Sequence, residues 1–224
     1  MNLSELRAEA RRIQRQTKGI YALFLVPIVT AIVSVVYNYS SDTLSNNILQ
    51  YGIQNTVVHG INRSLFPVAI SFIVSFFLTA AFWALLEVIR GKRQEVHFTD
   101  SIRTFDSKII GPVFMTLLLK RILLFLWNLF VWIGSGMMIL ASFSIIKLLP
   151  NSQDISQNVA LQTTIGTLLL YILIGFLLMI IGVLIALPQY YAYSQVEFIL
   201  FDSLENNSYD GAFKVIRASR QMMK

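Results

Sequence analysis

The sequence predicts an all-α polytopic membrane protein, a single domain over residues 1–224 with about four transmembrane helices and both ends cytoplasmic. Three observations predict it. Of the 224 residues, 55% are hydrophobic and 13% are charged, about half the charge of an ordinary soluble domain. The apolar residues gather into runs long enough to cross ~30 Å of hydrocarbon. The basic residues fall on alternate connections, the pattern expected of cytoplasmic loops. Amphipathic surface helices are expected at the N-terminus, before the third span and at the C-terminus.

Residues 1–18 are read as cytoplasmic. Leu3, Leu6, Ala10 and Ile13 form one helical stripe opposite Arg7, Arg11, Arg12 and Arg15, and Asn2 and Glu5 have capping-box spacing. That describes a short helix lying on the inner leaflet. Glu5 and Glu9, with the length of the apolar run that follows, make it a retained anchor rather than a signal peptide. Between Lys18 and Asp42 lie 23 residues without a charge, and the first span is placed at 19–37, with Pro27 inside it. The second span, 64–86, is also free of charge.

The run Ile109 to Ile146 has 38 residues, too many for one upright span at ~1.5 Å each. Its interruptions are Gly111-Pro112 and the pair Lys120-Arg121. A span starting near Ile109 would bury two cations, and an Arg at the bilayer centre costs ~3 kcal/mol or more. The preferred reading therefore keeps 87–121 cytoplasmic, with Ile109–Leu119 on the surface, and places the third span at 122–146. From Ile155 to Val196 there is no charge in 42 residues, but the opening is polar and Pro188 interrupts the far end. The fourth span is placed at 164–187. Tyr190, Tyr191 and Tyr193 then suit an interfacial aromatic belt. In the cytoplasmic tail, 188–224, Ser208 is the expected N-cap of a last helix whose apolar face is Tyr209, Ala212, Phe213, Ile216 and Met223.

Orientation follows from the cations. The N-terminal segment, the connection Arg90–Lys108 and the tail hold 14 of the 18 Lys and Arg, while the first and third connections hold Arg63 and Lys147 alone. The net charge of +6 is thus a consequence of topology rather than a nucleic-acid footprint. With no cysteine, and with His59 and His97 in separate polar segments, no metal, nucleophile or cofactor motif stands out.

Two constellations remain. Glu87 and Arg90 lie one turn apart, and Lys120, Arg121 and Glu197 are expected at similar depth. They form either a polar vestibule or, as the simpler reading, interfacial charges that snorkel and pair. Gly175 and Gly182 are seven residues apart on the last span, and Gly134 and Gly136 lie on the third. Small residues there permit close helix packing within the chain, or a homodimer face.

Three stretches together resemble a known family: Glu5–Arg11 (ELRAEAR) followed by Lys18-Gly19, Arg90–Lys108 (RGKRQEVHFTDSIRTFDSK), and Tyr191–Asp202 (YAYSQVEFILFD) with Ala212–Lys224 (AFKVIRASRQMMK). In order and placement they resemble the bacterial membrane family catalogued as domain of unknown function 975, common in Gram-positive bacteria. Phe130–Ile185 matches as generic apolar helix. In relatives the segment matching Ala212–Lys224 is followed by more membrane helix, so the resemblance implies a truncated or shortened member. It implies a fold and a location, and no activity.

The functional expectation is accordingly a non-catalytic protein of the bacterial cell membrane. Its expected partners are anionic inner-leaflet lipids and a second copy or another membrane protein, not nucleic acid. Protection against membrane-active peptides, as in bacteriocin immunity, or support of envelope homeostasis is the first reading. A transporter or permease-like subunit is the alternative.

Overall fold

A computed structural model describes residues 3–45, 52–148 and 159–223. Among these residues the regular structure is helical, apart from one isolated bridge between Lys18 and Glu95. Four stretches among the described residues are long and apolar enough to cross a membrane: Pro67–Ile89, Ile110–Trp127, Leu129–Leu148 and Leu161–Glu205. The chain divides into two compact units, Met1–Met115 with Leu200–Tyr209, and Thr116–Ile199 with Asp210–Lys224.

Unit 1 opens with α1 (Leu3–Gln16), the amphipathic helix that the stripe predicts. Asn2, its expected capping partner, lies outside the described residues. The first span, expected as one helix over 19–37, is divided. A single turn, α2 (Ile20–Leu23), is followed at Phe24 by α3 (Leu25–Ser45). The cause is Pro27, which has no N–H to give to Leu23 and so restarts the helix. In the first turn of α3 that missing donor costs nothing. Thr30 Oγ1 donates to the carbonyl oxygens of Val26 and Pro27 at 2.9 Å each.

Helix α4 (Gly52–Ile89) contains the second span. The polar residues 38–45 and 52–63, expected as a connection, continue α3 and α4 as helix. Residues 46–51 lie outside the description.

The Arg90–Lys108 connection does not stay clear of the span. Its 3-10 helix, Phe98–Phe105, folds back along α4. Thr104 Oγ1 donates to the Phe76 carbonyl at 3.1 Å, and the Phe105 ring stacks on Phe76 at 5.6 Å between centroids. Phe76 precedes Glu87 by 11 residues, so the connection returns ~16 Å along the apolar helix. Non-helical backbone is tolerated there because it is packed against protein. Below it, Leu23, Ala81, Ala84 and Val96 form a buried cluster. Gly19 permits the closest approach. Its φ is +82°, and a Cβ at that position would lie 2.0 Å from the Val96 carbonyl oxygen.

Unit 2 holds most of α5 (Ile110–Trp127), then α6 (Leu129–Leu148), α7 (Val159–Ala192), the start of α8 (Val196–Glu205) and α9 (Ala212–Met222). The third span was expected at 122–146 with a surface segment before it. Instead the apolar run breaks at Asn128 into two helices, each long enough to span. Asn128 shares its backbone N–H between the carbonyls of Leu124 and Phe125, at 3.0 and 3.1 Å. Its side-chain amide donates to the Leu124 carbonyl at 2.7 Å and to the Tyr190 hydroxyl at 3.0 Å. An amide that competes with the backbone in this way loosens a helix from within.

Helix α9 is capped by Gly211, at φ +107°, and not by Ser208. Ser208 instead donates both its N–H and its hydroxyl to the Ser203 carbonyl, at the end of α8. The buried side of α9 is Val215, Ile216 and Ser219, while Phe213, expected on that face, is 72% exposed.

Candidate functional site

Glu87 lies in the last turn of α4, and its side chain is 8% exposed. Its carboxylate accepts from two arginines, Arg93 and Arg103, both carried by the folded-back connection. Arg93 also reaches the Asp100 carboxylate at 2.9 Å, and Asp100 accepts the His97 backbone N–H at 2.8 Å. Burial pulls the Asp100 carboxyl upward, but the His97 N–H and the Arg93 guanidinium outweigh it and hold the group below its ordinary value. Burial likewise pulls Arg93 down, and Asp100 with Glu87 leaves it above the usual arginine value.

A second network lies beside the first. Arg90 Nη1 reaches the Asp202 carboxylate at 2.6 Å and Glu205 at 3.6 Å, and Lys92 pairs with Glu205. The guanidiniums of Arg90 and Arg103 lie 5.7 and 5.9 Å from the ring centroid of Phe201, within cation–π range. Phe201 is 2% exposed and packs on Trp83, itself 1% exposed. Glu87 and Arg90, one turn apart in sequence, therefore serve different ion pairs.

In unit 2, Lys120 Nζ donates to Glu197 Oε1 at 2.6 Å, with both side chains less than a fifth exposed. Lys120 and the half-buried Arg121, expected ahead of the third span, lie inside the apolar helix Ile110–Trp127. An ammonium within an apolar helix is costly, and the carboxylate offsets that cost. Trp127 Nε1 donates to the Tyr193 hydroxyl at 3.3 Å, so the α5–α6 junction is joined to the end of α7. Tyr193 is buried, and only Tyr190 and Tyr191 of the expected belt are exposed.

The glycines divide three to one. A Cβ on Gly134 would lie 2.5 Å from the Gly175 carbonyl oxygen, one on Gly175 2.7 Å from the Gly134 carbonyl oxygen, and one on Gly182 2.7 Å from the Val131 nitrogen. These three are the α6–α7 contact. Gly136 faces open space and takes no part in it.

Arg93, Arg103, Asp100, Asp202 and Glu205 were not singled out by sequence. All five lie in charged segments whose pattern reports topology, and nothing in their spacing pairs an α4 carboxylate with residues 93 and 103. Among the described residues no group of three or more His, Asp or Glu is placed to hold a metal ion. An open groove of about 830 Å³ lies in unit 2 between α9 and the α5–α6 face.

A family model described as Protein of unknown function (DUF975) matches residues 1–224. The chain belongs to this family. No curated protein and no solved structure matches it. The DUF975 match includes Phe130–Ile185, which the resemblance had covered only as apolar helix. The stretches that carry the DUF975 resemblance also build the ion pairs: Arg90–Lys108 supplies Arg93, Asp100 and Arg103, and Tyr191–Asp202 supplies Glu197 and Asp202.

Proposed function

We propose that this is a non-catalytic protein of the bacterial cell membrane, with both ends cytoplasmic, that protects the membrane against membrane-active peptides in the manner of bacteriocin immunity. The observation that supports this is α1. Its arginines Arg7, Arg11, Arg12 and Arg15 are exposed, and Ala10, on the apolar stripe, is exposed as well. A helix with an exposed cationic face suits an anionic leaflet surface. The buried carboxylate Glu87 is occupied by two arginines, which suits a structural tie better than a proton-transfer group. Deleting the protein should lower the inhibitory concentration of at least one class of membrane-active peptide. Unchanged concentrations across several classes would count against protection.

A second reading, a transporter or permease-like subunit, is favoured by one feature. The Lys120–Glu197 pair joins two apolar stretches, Ile110–Trp127 and Leu161–Glu205, and ionisable groups in such settings often serve transport. Solute flux into liposomes carrying the purified protein, lost in Glu197→Gln, would support that reading over protection.

A further inference from the structure

The groove in unit 2 has two unlike walls. One is the apolar face Leu123, Leu126, Trp127 and Phe130, whose spacing of three and four residues places them in a row across the α5–α6 junction. Leu126 and Phe130 are 54% and 44% exposed. The other wall is α9, which contributes Phe213, Arg217 and Arg220 to the lining. Val215 and Ser219 are buried on the other side of α9, where the Ser219 hydroxyl donates to the Ala192 carbonyl at 2.7 Å, while the buried Ile216 lines the groove itself. The helix is thus held with its cations over an apolar trough. Lys214 is paired with Asp210, whereas Arg217 and Arg220 are exposed and have no ion-pair partner among the described residues.

We propose that this groove binds one anionic phospholipid, its phosphate on Arg217 and Arg220 and an acyl chain along Leu123, Leu126 and Phe130. Charge complementarity selects the ligand. Guanidiniums hold phosphate oxygens through paired N–H donors, and an apolar trough beside them has no use for a free inorganic anion. The volume of about 830 Å³ is that of a site for one small ligand. The proposal rests on the reading of the basic segments as facing the anionic leaflet, and it names where on the chain one lipid is held.

Lipid with brominated acyl chains quenches nearby tryptophan, and Trp127 forms part of the wall. The test uses the full chain carrying Trp132→Phe, in nanodiscs of phosphatidylcholine. A tenth of the lipid is replaced by brominated phosphatidylglycerol in one arm and brominated phosphatidylcholine in the other. The phosphatidylglycerol should quench more. The preference should fall about 5-fold for each cation removed, and roughly 30-fold in Arg217→Gln/Arg220→Gln. It should persist in Arg11→Gln/Arg12→Gln, which removes charge from α1, and in excess inorganic phosphate. Equal quenching by the two lipids, or a preference unchanged in the double variant while its circular dichroism matches the parent, would overturn the site. Loss of the preference in phosphate would overturn the choice of lipid. The parent chain separates this site from the proposed function: no lipid preference in the parent while deletion still lowers peptide resistance removes the site alone, and a preference in the parent with resistance unchanged on deletion removes the protection reading alone.

Discussion

In unit 1 the apolar stretch Pro67–Ile89 is 33% buried, and its Ile89 end is held by carboxylate–arginine pairs brought by a connection that folds back on it. In unit 2 the helices Leu129–Leu148 and Leu161–Glu205 are 11% buried in their apolar windows, and α6 and α7 meet where side chains are missing, at Gly134, Gly175 and Gly182. The difference follows from what each helix has to pack against. A span wrapped by a polar connection must satisfy that connection's charges and backbone, so ion pairs and a Thr104 hydrogen bond do the fastening. Two apolar helices in lipid gain nothing from burying more apolar surface, so close backbone approach does it instead.

The comparison breaks most visibly at the glycines. In Gly175→Leu the new side chain meets the Gly134 carbonyl and Met138, and α6 must move off α7. A loss of about 3 kcal/mol is expected, at the upper end of overpacking, read as a lower melting temperature or aggregation on size exclusion. Gly136→Leu is the control, and it should stay within about 0.5 kcal/mol of the parent. In unit 1, Glu87→Gln leaves Arg93 without one of its two carboxylates and Arg103 without its carboxylate partner. Both arginines keep some access to water, so about 1–3 kcal/mol is expected, read by chemical denaturation in detergent. Arg90→Ala removes a solvent-accessible pair with Asp202 and should shift the denaturation midpoint less than Glu87→Gln does.

The smallest effect is one of pH. Because Asp100 is held below its ordinary value when folded, its contribution is present above the unfolded value of about 3.9 and is lost as the pH falls through the folded value. The stability of residues 93–105 should therefore decline below about pH 4. Asp100→Asn should flatten that decline, as followed by hydrogen exchange against pH.

Much of the fold was legible because charge is costly in hydrocarbon. The charge-free runs 19–41 and 64–86 and the uncharged 155–196 mark where apolar helix occurs, and alternate basic segments follow from the same cost. Three things were not legible. An apolar run without periodicity carries no face to read, so the break at Asn128 rests on one amide that competes with the backbone. Polarity marked 38–63 as a loop, although helix propagates through polar residues once nucleated. The fold-back of Phe98–Phe105 depends on Phe76 and Phe105 meeting across 29 residues, which local spacing cannot report. Of the candidate residues, Glu87, Arg90, Lys120 and Glu197 take part in ion pairs, and sequence did not give the partners of Glu87. Like charges counted for topology do not announce which carboxylate they serve.

The account depends most on Glu87 as the tie that holds the returning connection against α4. Hydrogen exchange of the full chain in nanodiscs, compared between the parent and Glu87→Gln, tests it most directly. The account predicts faster exchange across residues 93–105 in the variant, with Pro67–Phe76 still protected. Unchanged exchange over 93–105 would contradict it, because the fold-back would then stand without the charge that is said to hold it.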